Sequence, residues 1–313
     1  HRDLHSFPTR RSSDLLVSAK GFSFDRALFG NNKVQVDSGL IDSFNSSHLR
    51  SSPPPAGMPV MSPSAFNADL EYYYENYFDS ANTALHQKTA SIGSNKASAG
   101  AVVLGTGGGA SDAALVDGDI YTGVGGGTSA VTKGSDAFYS GDEPTATKDM
   151  PRTFPPSPEP PASYVHENDF VQSGGSLNLE GGQVYYFKGD MRLDNVQINV
   201  TGSGPVTIYA AKNVDITNDS AVNWGKKPDL LQVYMIDDGA GQATISASRG
   251  AFVLAGSSSK VTIEGNSEVF GSVLADEVLM KDNSKLHYDA SLATVMLGRT
   301  DFATTNVFGG STS

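Results

Sequence analysis

The chain has 313 residues, a formal net charge of −12 at neutral pH, no cysteine, one tryptophan and 34 glycines. Without cysteine there are no disulfides, no thiolate chemistry and no Cys-ligated zinc or iron–sulfur sites. An acidic chain without a basic cluster is poorly matched to nucleic acid or anionic lipid, which call for Lys and Arg to neutralise phosphate.

Residues 1–15, HRDLHSFPTRRSSDL, match the translation of a common sequencing-library adapter along their whole length, and no initiator Met precedes them. They are expected to be an artefact, with authentic sequence entering near Leu16 and the native N-terminus, including any export signal or membrane anchor, lost upstream. Setting aside Arg2, Arg10, Arg11, Asp3 and Asp14 leaves the remainder at −13.

Residues 16–50 carry Ala27-Leu28-Phe29-Gly30, Val34-x-Val36 and Ile41-x-Ser43-Phe44. Such short apolar alternation, broken by Ser38-Gly39, predicts an opening coil of a β-solenoid. Residues 51–96 depart from it. The stretch SSPPPAGMPVMSP at 51–63 is barred from a sheet interior because proline lacks an amide donor. Beyond it, Phe66, Leu70, Tyr73, Tyr74, Tyr77, Phe78, Ala81 and Leu85 recur at three- and four-residue steps. That period predicts one inserted amphipathic helix over 67–88, capped by Asn67. Its tyrosines serve most simply as core; Tyr73, Tyr74 and Tyr77 are the candidates for stacking on a carbohydrate.

Residues 97–141 are glycine-rich. GTGGGAS and GVGGGTS lack the Lys-Ser/Thr and the strand–helix setting of a phosphate loop, so they read as tight solenoid corners. Residues 142–163 hold seven prolines and predict an extended connector that could run along the outside of a single column. Residues 164–295 form the main expected solenoid. Val261-x-Ile263-x-x-Asn266-Ser267-x-Val269 recurs as Val278-x-Met280-x-x-Asn283-Ser284-x-Leu286 and, upstream, as Val214-x-Ile216-x-x-Asp219-Ser220-x-Val222. Strands are expected to begin near Leu177, Val184, Val196, Val206, Val214, Leu231, Ala243, Ala251, Val261, Val269, Val278 and Leu286. Between them NWGKKPDL at 223–230 reads as a protruding loop, with Trp224 as its plug or as a binding aromatic. Residues 296–313 read as a tail. The fold expected is all-β: a right-handed parallel β-helix with one helical insertion.

Candidate chemistry is sparse. Asp237 and Asp238 form the densest acidic pair, but neighbours on a strand point to opposite faces, so they would share a site only in a turn. Asp117-Gly118-Asp119 offers oxygen ligands, yet neither an EF-hand loop nor a calcium β-roll nonapeptide occurs. His287 and Asp289 would face one side of a strand, without a nucleophile motif beside them. Their simpler reading is a polar cap on the last coil. No catalytic residue, cofactor or metal is expected.

Six segments carry a family likeness: Gly182-Gln183-Val184-Tyr185-Tyr186-Phe187, Gly204-Pro205-Val206-Thr207-Ile208-Tyr209, Lys227-Pro228-Asp229-Leu230, Val261 to Asn266, Phe270-Gly271-Ser272-Val273 and His287 to Leu292. Together they resemble an uncharacterised solenoid domain of bacterial envelope proteins, found with PilX-like type IV pilus assembly regions. Ala27–Gly30 and Asp42–Ser47 resemble the opening of that domain. The resemblance implies a non-enzymatic structural or adhesive protein of the cell surface, with envelope or pilus proteins and surface glycan as partners. Two alternatives stand beside it: a polysaccharide lyase or hydrolase on a β-helix, and an intracellular, bactofilin-like polymer-forming scaffold.

Overall fold

The computed structural model describes residues 22–46, 89–105, 113–141, 145–146, 164–236, 241–294 and 296–297. The strand Val206–Ala210 shows the rule that builds them. Val206, Ile208 and Ala210 are buried while Thr207 and Tyr209 are partly exposed, so every second side chain enters one central column. Each strand then pairs in parallel with the third strand after it. Tyr164–His166 pairs with Val184–Phe187, which pairs with Val206–Ala210, which pairs with Leu231–Met235. Three strands per coil and parallel stacking of like on like make a solenoid-type column with three faces.

The first face continues through the 252–256 and 271–275 stretches. The second runs from Phe170–Ser173 through Met191–Asp194, Val214–Thr217 and Gln242–Ser246. The third runs from Ser176–Glu180 through Gln197–Thr201 and Ala221–Val222 to Arg249–Gly250 and Glu268–Phe270. Near the C-terminus the corners soften, and two long strands, Arg249–Glu264 and Glu268–Met280, wrap round more than one face without a break.

Chain order and stacking order diverge at the last coil. The strand Ser284–Asp289 does not end the column, because Gly39–Phe44 pairs on it in register from Ser284↔Gly39 to Asp289↔Phe44. Likewise Leu28–Val36 lies on Val273–Met280. Beyond that seam come Ile92–Ser94, Val102–Leu104 and Ala114–Val116, then Ile120–Thr122, Val131–Lys133 and Ala137–Tyr139, and last Thr145–Ala146. The chain therefore starts mid-column, winds to one end, and resumes at the other. Thr145 and Tyr164 share a face nine strand steps apart. At about 4.8 Å per step that is about 43 Å. Residues 147–163 can bridge it, since a chain of that length reaches about 60 Å when extended.

The seam is bonded like any other coil boundary. Val273 N–H donates to the Ala27 carbonyl at 2.9 Å, Asp37 N–H to Met280 at 2.8 Å, and Tyr288 Oη to the Phe24 carbonyl at 2.8 Å. Gly39 permits the approach: its φ is 125°, and a Cβ there would collide with the Ser284 carbonyl. A short antiparallel pair, Phe22–Ser23 with Met296–Leu297, closes beside it. The cap reading of His287 and Asp289 is thus corrected. Both are covered by the Gly39–Phe44 strand, and Asp289 accepts the Ser46 N–H at 3.0 Å.

Among the described residues there is no α-helix, only short 3-10 turns at 127–130, 228–230 and 290–294. The expected helix at 67–88 lies outside the described residues. Strand Ile92–Ser94 falls within 51–96, and Thr145–Ala146 within 142–163.

Candidate functional site

The corner between the second and third faces is built by one repeated device. Asn195, Asp219, Asn266 and Asn283 take positive φ there (55°, 62°, 59° and 55°), a conformation Asn and Asp tolerate because their short polar side chains bond locally. Asp219 and Asn266 are each followed by a buried serine that ties two coils together. Ser220 Oγ donates to its own coil at the Thr217 carbonyl (2.7 Å) and accepts the Val196 N–H of the preceding coil (3.1 Å). Ser267 does the same with the Glu264 carbonyl (2.6 Å) and the Ser248 N–H (3.2 Å). Ser38 accepts the Asn283 N–H at 3.1 Å, so a serine also bonds two coils across the seam.

A trench follows this corner. One part, about 470 Å³, is lined by Asp219, Ala247, Ser248, Arg249, Asn266 and Glu268. A second part, about 410 Å³, shares Asp219 and Arg249 and continues past Asn195 and Gln197. Arg249 and Glu268 are register partners on adjacent strands of the third face. Trp224 stands beside them. Its ring lies 4.7 Å from the Arg249 guanidinium and packs edge-on against Phe270, with centroids 5.5 Å apart. Asn223 anchors that loop, its side-chain amide donating to the Ala251 carbonyl at 2.8 Å.

Behind Glu268 lies a buried charge relay that spans the seam. His287 is fully buried. Its Nδ1 is 2.5 Å from Asp42 Oδ1, and its Nε2 is 3.1 Å from Glu268 Oε1. Burial alone would push the imidazolium pKa down, but the Asp42 charge and hydrogen bond, with Glu268 assisting, raise it to about 9. Glu268 responds in kind: burial pushes its carboxyl up, yet the His287 hydrogen bond and charge, with Lys285 nearby, hold it below the usual range. The imidazolium is therefore a charged bridge at neutral pH, donating to both carboxylates. The ring also lies 4.5 Å from that of Phe270. Proton abstraction by this histidine is not available while it holds both protons; its effect is to orient the Glu268 carboxylate at the trench.

Of the residues expected from sequence, Trp224 is half-buried at the trench edge. Tyr73, Tyr74, Tyr77, Asp237 and Asp238 lie outside the described residues. Sequence reasoning missed Glu268, Asp42 and Ala247. Glu268 could have been found by aligning the positions just after each Ser of the corner repeat. Asp42 had no such signal, because its partners are more than two hundred residues away in the chain.

Among the described residues, no group of three or more His, Asp or Glu is disposed to hold a metal ion, and no helix is long and apolar enough to cross a membrane. Residues 162–295 match the family model of a domain of unknown function (DUF7305). No curated protein and no solved structure matches the chain.

Proposed function

We propose that this chain is a non-enzymatic, structural and adhesive column of the bacterial cell surface, associated with pilus or envelope proteins. Its coils are taken as right-handed, the hand that parallel crossovers favour. The observation that carries the reading is the seam. Both ends of the described chain are used to complete one continuous rod about 43 Å long, with its apolar side chains inside and ladders of Asn and ion pairs outside. Asn218 to Asp194 at 2.7 Å, Lys260 to Glu277 at 2.9 Å and Lys281 to Glu264 at 2.8 Å are rungs of those ladders. Rigid length with a patterned polar surface suits display and contact. The likeness of the segments quoted above to envelope solenoid domains is what suggests this setting.

Antibody raised against the purified chain tests it. Labelling of intact producing cells is the expected result. Labelling only after permeabilisation would overturn it and favour an internal scaffold. A second reading, a polysaccharide-cleaving enzyme, is favoured by one observation: a carboxylate, Glu268, held at a trench by a buried imidazolium. Saturable turnover on a polysaccharide panel, abolished by Glu268→Gln or by Asp237→Asn, would establish that reading in place of the first.

A further inference from the structure

Eight non-glycine residues among those described have positive φ, and seven of them are Asn or Asp. The eighth is Ala247, at φ 48°. It is the single positive-φ residue of its corner, where the coils on either side use two, Asn218-Asp219 and Gly265-Asn266, and like theirs its corner is followed by a serine, Ser248. Alanine there is costly. A Cβ without a polar group to bond locally is strained in the left-handed region, where glycine is free and asparagine is better tolerated. Strain kept where a cheaper residue would serve points to function at that place. The reason is visible: Ala247 lines the wider part of the trench, and a longer side chain would project into it.

We propose that this trench is a binding site for a neutral polysaccharide strand, kept open by the short side chain of Ala247. Its shape suits a polymer. From Asn195 through Asp219 and Ala247 to Asn266 it crosses three coil steps, about 14 Å, along the column rather than into it. Its chemistry suits hydroxyl groups. Arg249 donates, Asp219 and Glu268 accept, Asn195 and Asn266 do both, and no large apolar side chain lines it. Two carboxylates against one guanidinium, on a chain of net charge −12, repel polyuronates and polyphosphates. A peptide would require apolar pockets or a free strand edge, and the trench floor offers neither, since its strands are already paired on both sides. Two neighbours hold the polar groups in place. Trp224 lies against the Arg249 guanidinium, and His287, backed by Asp42, fixes Glu268. Both are positioning residues.

The inference rests on the adhesive reading only for where the polysaccharide is met. The test uses the purified full chain on cellulose, chitin and xylan, with polygalacturonate as the acidic comparison. The variants are Ala247→Asn and Arg249→Ala. Binding to at least one neutral polymer and none to polygalacturonate is expected. Ala247→Asn is expected to melt higher than the parent yet bind at least tenfold more weakly, and Arg249→Ala to bind more weakly with an unchanged melting temperature. A misfolded protein cannot imitate the first pattern, because its two readouts move in opposite directions. Ala247→Asn binding like the parent, preference for polygalacturonate, or no binding to any polymer would each overturn the proposal. Those failures would leave the cell-labelling result standing, so the two readings fail separately.

Discussion

At the scale of single residues, the His287 bridge is where charge does the most for the fold. The folded pKa of His287, about 9, stands above its ordinary 6.5. The stabilisation it lends is therefore complete below about pH 6.5 and is lost as pH rises through 9. Glu268 acts in the opposite sense: its pKa is lowered, so its share is present above the ordinary carboxylate range and is lost as pH falls through the folded value. Thermal melts from pH 5 to 10 should show the parent losing stability on the alkaline side relative to His287→Gln. Parallel profiles for the two would rule the bridge out. Removing the buried counter-charge, as in Asp42→Ala, should cost about 3–5 kcal/mol in urea unfolding, because it strands an imidazolium in the interior. This site was invisible in sequence for a physical reason. His287 and Asp42 acquire meaning only when strands from opposite ends of the chain are stacked, and local spacing reports nothing about that. The alternation around Ile41 and Leu286 did mark them as strand residues, but burial of the outward-facing partners follows from the covering layer, which has no periodic signature.

At the scale of elements, the corner repeat was the most legible feature, and its mechanism explains why. Val214-x-Ile216 and Val261-x-Ile263 bury both apolar side chains, the Asx residue turns the corner, and the Ser bonds two coils at once. One pattern thus encodes strand, turn and stacking together. Less legible were Met191–Asp194 and Phe170–Ser173, whose inward positions alternate with charged or exposed partners over only four residues. The merging of Arg249–Glu264 into one element was equally hidden. Its corner between Gly256 and Lys260 is a register shift within a continuing strand, and it carries no Asx-Ser punctuation. The staple makes a clean prediction. Ser38→Ala and Ser220→Ala each remove an amide's acceptor, that of the part-buried Asn283 N–H in the first and of the buried Val196 N–H in the second. By denaturant unfolding Ser220→Ala should lower stability by about 1–3 kcal/mol and Ser38→Ala by about 1 kcal/mol. A cost at Ser220 with none at Ser38 would mean that the seam does not carry such a bond.

At the scale of the whole molecule, the account turns on one claim: residues 28–44 are the coil that follows residue 289, although they come first in the chain. Composition announced a solenoid and set a proline-rich connector between two halves. What it left open was the order in which the halves stack, because coils with the same alternation are chemically interchangeable until specific contacts select among them. Gly39 against Ser284, Ser38 against Asn283, and Asp42 against His287 are those contacts. The most direct measurement places a protease site within residues 147–163 of the full chain, cleaves it, and follows the products by size-exclusion chromatography under native conditions. The two fragments are predicted to elute together at the size of the uncut protein and to part only in denaturant. Two separately eluting, independently folded fragments would contradict the seam and, with it, the single column.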